Sequence, residues 1–368
     1  MNSSIRTKIA ITLLPKLNNR LYLSFIERCG GIEGFFSENT KALSAICQEY
    51  NLIPESLNRT VALKKADLEL KQIDRYGISI LSVEDTSYPD LLQQCEDAPL
   101  VFYYKGNFQP SSHKYLAIVG TRHASERYKN LVYTIVKELA QIQQPPVIVS
   151  GLAFGIDASA HRASLKYNLK THAVLGHGLH MIYPASHKNL AGNILESEGA
   201  LISEFPCTAN THPGNFLRRN RIIAGLCHTT LVVESAIKGG AMATARIALS
   251  YNRDVLAIPG NPEDFYSAGC NLLIKNNIAA LTENATDVAQ SLNLSLPKTN
   301  SEPTQLKLFG SEEQQNSILN LLQEKGTLYI DELSQVSGMP SGELIAHLLQ
   351  LELTGQILAL PGKKYSIR

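Results

Sequence analysis

The stretch KYLAIVGTR, residues 114–122, decides the fold class, because its apolar run at 116–119 ends in a glycine, a threonine and an arginine. Five similar runs follow further along the chain. Each of the six has three to five residues with hardly a charge, which is typical of strands buried on both faces of a parallel sheet. Helical periodicity follows several of the runs, so we predict a Rossmann-like, doubly wound parallel sheet in an α/β core over residues 112–290. The further runs lie at residues 147–149, 171–175, 200–203, 229–233 and 254–258.

The chain on either side of this core has a different pattern. Residues 1–70 carry apolar side chains at helical spacing and predict a small helical module, which residues 71–111 bridge to the core. Residues 291–311 contain two prolines and no sustained period, as expected of a linker. Residues 312–368 predict a winged helix-turn-helix. Its elements are expected at residues 312–324, 330–336 and 341–353 for the helices and at 357–360 and 364–367 for the hairpin.

The charge composition excludes one class of protein. The 368 residues include 34 Lys and Arg against 33 Asp and Glu, a net charge of +1, so a uniformly basic polyanion binder is ruled out. The balance is uneven, since the core has 16 basic and 12 acidic residues and the winged helix four and seven. Any nucleic-acid site must therefore be local and lie in the core.

Cofactor and membrane signals are weak throughout the sequence. The six cysteines lie far apart with no C-x-x-C pair, which argues against a disulfide framework and a cysteine zinc site. His177, His180 and His187 have no accompanying carboxylate, so we expect no metal. No uncharged apolar stretch is long enough to span a membrane, and the N-terminus lacks a cleavage signal. We expect a cytoplasmic protein without a bound cofactor.

The candidate site follows from the ends of the predicted strands, because glycine-rich turns and helix N-termini there present backbone N–H groups to anions. The densest basic cluster is FLRRNR at residues 216–221, whose arginines and phenylalanine suit phosphate contact and base stacking on a single strand. Glu204 and Glu234 are available to pair with one or two of these arginines. The candidate binding residues are Gly120, Thr121, Arg122, Ser150, Gly151, Lys188, Phe216, Arg218, Arg219, Asn220, Arg221, Lys238, Gly239 and Gly240.

The same motifs give little support to catalysis. The spacing G-x-x-x-G-x-D at residues 151–157 differs from the dinucleotide fingerprint G-x-G-x-x-G. The motifs contain no Ser-His-Asp order, carboxylate pair or phosphate-binding P-loop, so no nucleophile or base is evident. We expect a site that binds, and not an enzyme.

Seven collinear motifs between about Tyr88 and Leu281 resemble the DNA processing protein A family (DprA, also called Smf). They are AIVGTR (117–122), IVSGLAFGIDASAH (148–161), VLGHGLHMIYP (174–184), ISEFP (202–206), FLRRNRIIAGL (216–226), VVESAIKGGAMATA (232–245) and AIPGNP with AGCNLLI (257–274).

The resemblance implies a homodimeric single-stranded DNA-binding protein that loads the recombinase RecA during natural transformation. It further implies that the strand lies at Arg122, Lys188 and Phe216 with Arg219, Asn220 and Arg221. It also implies that the N-terminal module is of the helix-hairpin-helix or SAM-like type.

The chain departs from the family pattern at three places. Leu217 replaces a proline, residues 239–242 (GGAM) replace Ser-Gly-Ser-Leu, and residues 16–19 (KLNN) stand where a phosphate-binding hairpin would carry Gly-x-Gly. The predicted recognition helix at 341–353 holds two glutamates and no Lys or Arg, so we expect it to contact protein and not duplex DNA.

Two alternatives stay open at this point. A Rossmann-like nucleotide enzyme of the nucleoside-monophosphate phosphoribohydrolase type would carry a Pro-Gly-Gly-x-Gly-Thr-x-x-Glu loop, which Gly239, Gly240 and Thr244 only approximate, with Ile247 in the glutamate position. A scaffolding protein without DNA binding is disfavoured by the intact Arg-Asn-Arg cluster.

Overall fold

The computed structural model describes residues 2–14, 24, 26–49, 57–110, 113–297 and 312–367. The chain divides into two units, Met1–Pro297 and Lys298–Arg368. No helix in these described ranges is long and apolar enough to cross a membrane.

A nine-stranded sheet is the centre of the first unit, with strand order β1-β2-β6-β5-β4-β3-β7-β8-β9. Strands β3 to β9 run parallel, whereas β1 and β2 are antiparallel to each other and β2 is antiparallel to β6. All six predicted strands are present, and the prediction of a parallel α/β core is confirmed. The strands are β1 (Ser79–Ser82), β2 (Val101–Gly106), β3 (Tyr115–Val119), β4 (Val147–Ser150), β5 (Thr171–Leu175), β6 (Ala200–Ser203), β7 (Thr229–Val232), β8 (Asp254–Ala257) and β9 (Ala280–Leu281).

Helices cover both faces of the sheet. Side chains alternate along each strand, so Leu116 and Ile118 of β3 join one core and Ala117 and Val119 the other. The helices are α1 (Asn2–Thr12), α2 (Ile32–Ser37), α3 (Thr40–Glu49), α4 (Arg59–Tyr76), α5 (Asp90–Gln93), α6 (Glu126–Leu139), α7 (Ile156–Lys166), α8 (Lys188–Glu196), α9 (Pro213–Leu226), α10 (Gly240–Ser250), α11 (Ala268–Lys275) and α12 (Ala285–Ser291). The face with Leu116 and Ile118 is covered by α6, α7 and α12, with α1–α4 and α8 beside them. The face with Ala117 and Val119 is covered by α5, α9, α10 and α11.

The N-terminal helices share a core with the sheet. Ile9 and Phe35 belong to the same buried cluster as Tyr103 of β2 and Leu201 of β6. Glu69 of α4 is fully buried and accepts hydrogen bonds from the amides of residues 207 and 208, at 2.6 and 3.0 Å. The bridging segment contributes β1 and β2 to the sheet edge. The predicted boundaries at residues 70 and 111 therefore do not separate compact units, because the apolar core is continuous across both.

The second unit is a small winged helix, as predicted. Helices α13 (Glu312–Lys325), α14 (Ile330–Ser337) and α15 (Ser341–Leu353) pack beside a three-stranded sheet of order β10-β12-β11. The wing strands β11 (Ile357–Leu360) and β12 (Lys364–Ile367) have the predicted bounds, and β10 (Leu328–Tyr329) is too short to show a period in sequence. The buried core consists of Ile318, Leu322, Leu333, Leu344, Leu348, Leu351 and Ile357.

Candidate nucleic-acid interface

A crevice of about 270 Å³ lies at the carboxyl ends of β3 and β7. These neighbouring strands mark the place where the strand order reverses, which is where doubly wound sheets bind ligands. Its volume lies just below the roughly 300–1,000 Å³ range of small-ligand sites. The lining residues are Val119, Gly120, Thr121, Arg122, His123, Ala153, Asp157, Phe216, Leu217, Arg219, Asn220, Ile223, Ser235, Ala236, Gly239, Gly240, Ala241, Thr244 and Tyr266.

The turn after β3 presents Arg122 to this crevice. The Thr121 amide donates to the Glu234 carbonyl oxygen at 2.6 Å, and the Thr121 carbonyl accepts from the Ile156 amide at 3.2 Å. The turn is thereby tied to the ends of two other elements. Arg122 itself is exposed and makes no hydrogen bond or ion pair within the described ranges. Its guanidinium is a free, pre-positioned donor for an anion.

Arg219 has a different environment, because it is buried in the crevice wall. Its guanidinium donates to the carbonyl oxygens of Gly151, at 2.8 Å, and Val174. Burial lowers the pKa of Arg219 to about 10, so it stays charged at neutral pH. A Cβ on Gly151 would lie 2.5 Å from the guanidinium, so a larger residue there would displace Arg219. Arg219 supplies positive charge to the crevice and also holds β4 and β5 together.

Asp157 brings a negative charge into the same wall. Its carboxylate accepts from the amides of Gly151 and Ala153 at 3.1 and 3.4 Å. Burial raises the pKa of Asp157, and the charge of Arg219 opposes that increase. The Asp157 carboxylate therefore stabilises the turn after β4 and interacts with the charge of Arg219.

The N-terminus of α10 completes the anion-binding part of the crevice. Gly239 is the N-cap, and both Gly239 and Gly240 line the crevice. A Cβ on Gly239 would lie 2.4 Å from the Ser235 hydroxyl, whereas the space at Gly240 is open. The first amides of an eleven-residue helix point out of its N-terminus and carry the positive end of the helix dipole. A phosphate oxygen could reach these amides without steric hindrance.

A group of aromatic rings lies beside the crevice. Phe216 packs against Tyr183, with ring centroids 5.5 Å apart. Phe154 and Tyr183 are about half exposed, at 48% and 52%. Both line a smaller adjoining cavity that shares Arg122, Ala153, Phe216 and Arg219 with the crevice. Sequence reasoning missed Phe154 and Tyr183, although an aromatic residue in each of two glycine-containing turns was a usable signal.

Arg218 and Arg221 do not line either cavity. Glu204 accepts from both of them through Oε2, at 2.9 Å for Arg218, and Arg221 also donates to the Asp97 carbonyl oxygen. The side chains of Arg221 and Glu204 are nearly inaccessible, at 9% and 4%. Arg219 is therefore the one of the three arginines that lines the crevice, and contact of Arg218 and Arg221 with the strand stays a prediction. The Glu204 carboxylate pairs with Arg218 and Arg221 outside both cavities.

Three other candidates lie outside the linings. Ser150 is buried and donates to the Ile118 carbonyl oxygen at 2.7 Å, so its hydroxyl serves the sheet. Lys188 begins α8 and Lys238 precedes the α10 N-terminus, and both are exposed.

Both ring nitrogens of His177, after β5, have structural partners. His177 Nδ1 donates to the Gly178 carbonyl oxygen at 3.0 Å, and its Nε2 accepts from the Tyr183 amide at 3.1 Å. Burial lowers the pKa of His177, which keeps this neutral form and fixes the turn that carries Tyr183. No group of three or more candidate metal ligands occurs among the described residues.

Comparison with known families gives two matches. The family model of DNA recombination-mediator protein A matches residues 79–293, more than half of the chain. The DprA winged helix domain matches residues 301–363.

Named relatives and solved structures agree with these matches. Protein Smf of Escherichia coli is 34% identical over 335 residues, covering 88% of this chain and 87% of its own. The DNA processing protein DprA of Streptococcus pneumoniae is 36% identical over 209 residues, 57% of this chain and 73% of its own. Its X-ray structure has a TM-score of 0.63 and 29% identity over 77% of this chain and 95% of its own. A structure of DNA processing protein A from Helicobacter pylori, described for its single-stranded DNA binding mode, has a TM-score of 0.52 and 28% identity over 59% and 95%.

Proposed function

The chain belongs to the DNA recombination-mediator protein A family, and from this premise we propose that it binds single-stranded DNA and loads RecA onto incoming DNA during natural transformation. The observation that carries the DNA-binding part is Arg122. It lies unpaired among the described residues at a strand-end crevice, beside a glycine-rich helix N-terminus and accessible aromatic rings. Proteins that bind single strands without sequence preference use cations to contact the phosphates and aromatic rings to stack on the bases.

Arg122→Ala is the direct test of this site. Binding of fluorescent oligothymidine is measured by anisotropy at several salt concentrations, because single-strand affinity falls by a slope of about 0.7 per phosphate neutralised. We expect Arg122→Ala to weaken binding and to lower the slope by about 0.7. Arg127→Ala is the matched control, because that exposed arginine of α6 lies outside both cavities. Equal affinity and slope for wild type and Arg122→Ala would refute the site.

The proposed action on RecA and the proposed homodimer need separate measurements. RecA loading predicts faster filament formation on the oligonucleotide when the wild-type protein is present, and loss of that gain with Arg122→Ala. Sedimentation at micromolar concentration tests the homodimer, which we propose forms through the core. A monomer that still stimulates RecA would contradict the dimer alone.

We propose a binding role in place of catalysis. Release of free base from nucleotides, followed by chromatography, would instead support the alternative of a nucleoside-monophosphate phosphoribohydrolase.

The winged helix is proposed to contact protein. Helix α15 has Glu343 and Glu352 but no Lys or Arg, and it exposes Ile345, Leu349 and Leu353 at four-residue spacing. An apolar exposed face of this kind suits another protein better than a phosphate backbone. Replacing Lys325, Lys363 and Lys364 together by alanine should leave duplex and single-strand affinities unchanged. A loss of more than about threefold for duplex would contradict the proposal.

A further inference from the structure

A row of three rings lies at the crevice and has no part in the site as described so far. The rings of His123 and Tyr266 are 5.9 Å apart and 31° from parallel, and Tyr266 meets Phe265 edge-on at 5.1 Å. We call these three residues the aromatic row. His123 and Tyr266 line the crevice directly.

Phe265 is exposed to an unusual degree. Its relative accessibility is 72%, and no other large apolar side chain among the described residues of the first unit is as exposed. It takes no part in the buried clusters of that unit. An exposed ring of this size, next to the ring of Tyr266, offers a flat apolar face on which the ring of a ligand can stack.

The loop that carries Phe265 is held in place by its own hydrogen bonds. The Gly260 amide donates to Asn271 Oδ1 at 3.1 Å, and Asn271 Nδ2 donates back to the Gly260 carbonyl oxygen at 3.0 Å. The Ser267 amide donates to the Asp264 carbonyl oxygen at 3.0 Å. A ring on a fixed loop loses little conformational entropy when a ligand stacks on it.

The position of Arg122 links the aromatic row to the rest of the site. Arg122 immediately precedes His123 and lines both the crevice and the smaller cavity of Phe154 and Tyr183. A phosphate at Arg122 therefore has ring surfaces within reach in both cavities.

The charges near the row determine what it can bind. Glu263 and Asp264 are exposed and adjacent to Phe265 in the chain. Two carboxylates repel a phosphate but leave the neutral face of a base unaffected. The surface thus suits a base and not the backbone of the strand.

We propose that the aromatic row is a second stacking surface, which takes the base of a nucleotide neighbouring the one whose phosphate is bound at Arg122. This inference rests on the proposed binding of single-stranded DNA. It adds Phe265, Tyr266 and His123 to the residues that contact the strand. It also assigns their contribution to stacking, which depends little on salt.

The experiment compares Phe265→Ala, Phe265→Leu and Phe265→Trp with wild type in oligothymidine anisotropy at low and high salt. Stacking on one ring predicts a loss of about five- to a hundredfold for alanine, a loss for leucine too, and retained affinity for tryptophan. The salt slope should equal that of wild type for all three variants, in contrast to Arg122→Ala. Leu68→Ala removes another exposed apolar side chain, 56% accessible and carried by α4, and is the matched control.

Oligonucleotides with one abasic site supply the second readout. An abasic site at the position that meets the row should weaken wild type and leave Phe265→Ala unaffected. If wild type binds no single-stranded DNA, the proposed function itself fails. If Arg122→Ala weakens binding while Phe265→Ala and Tyr266→Ala match wild type, the aromatic row alone is refuted. A loss in Phe265→Ala that accompanies dissociation of a dimer, with no abasic dependence, would also refute it.

Discussion

Arg219→Ala should destabilise the protein in a pH-dependent way. The guanidinium is buried and serves two carbonyl oxygens, and it is the charge that opposes the raised pKa of Asp157. Removing one member of a set of buried charges typically costs about 3–5 kcal/mol, because the remaining charge loses its compensation. We expect a loss of that order at pH 7.5.

The pH dependence follows from Asp157. Without Arg219, the pKa of the buried carboxyl rises further above its ordinary value of about 3.9. The folded variant then binds this proton more tightly than the unfolded chain, so its stability falls as the pH rises from about 4 through the raised pKa. For each further unit by which the pKa of Asp157 rises, the variant loses about 1.4 kcal/mol more unfolding free energy at pH 7.5 than at low pH.

Urea unfolding of wild type and Arg219→Ala at pH 5.0 and pH 7.5 measures the difference in the free energy of unfolding. The double variant Arg219→Ala with Asp157→Asn removes the titrating group and should remove the pH-dependent part. The reasoning is wrong if the loss is the same at both pH values or smaller than about 1 kcal/mol. Arg122→Ala should unfold like wild type, so its loss of DNA affinity is separate from stability, whereas Arg219→Ala changes both the stability and the charge of the crevice.

Three further outcomes are expected. Glu204→Gln should cost about 3–5 kcal/mol in urea unfolding, because the buried Arg221 loses its nearer counter-charge and keeps only the half-exposed Asp97 carboxylate, 3.9 Å away. Glu196→Gln at an exposed site should cost less than about 0.5 kcal/mol. Burial lowers the pKa of His161 to about 3, so the free energy of unfolding of the wild type falls as the pH drops below 6.5. His161→Asn lacks this titrating group, so its free energy of unfolding should fall less steeply, by about 1.4 kcal/mol per pH unit between pH 6 and 4. Phe154→Ala and Tyr183→Ala should each weaken oligothymidine binding about fivefold or more, and unchanged affinities would separate the smaller cavity from the DNA site.

The sheet was predictable because its signal is local. Buried parallel strands need uninterrupted apolar runs, and the six runs of the core have the bounds of β3 to β8 to within a residue. Strands β1 and β2 were missed, since they pair antiparallel with each other at the sheet edge and β6, the other partner of β2, lies about 100 residues further along the chain. The union of the N-terminal helices with the core was missed for a related reason. This packing depends on contacts between distant parts of the chain, such as those that place Ile9 in the same buried cluster as Tyr103 of β2, and sequence spacing does not reveal such contacts.

The basic cluster shows why a linear motif is not yet a site. Phe216, Arg219, Asn220 and Ile223 line the crevice, and their spacing of i, i+3, i+4 and i+7 places them on one face of α9. Arg218 and Arg221 are offset from that face by about 100° steps, and they meet Glu204 instead. Counting three arginines in four positions overestimates the charge available to a ligand, because a helix distributes adjacent residues around its axis. The helical interpretation of residues 216–226 would have separated Arg219 from its neighbours. It would not have identified the burial of Arg219, which depends on carbonyl oxygens from β5 and the turn after β4. The exposed cation of the crevice comes from a different turn, at Arg122. The electrostatic character of this site is therefore set by the sheet topology that brings the ends of β3 and β7 together.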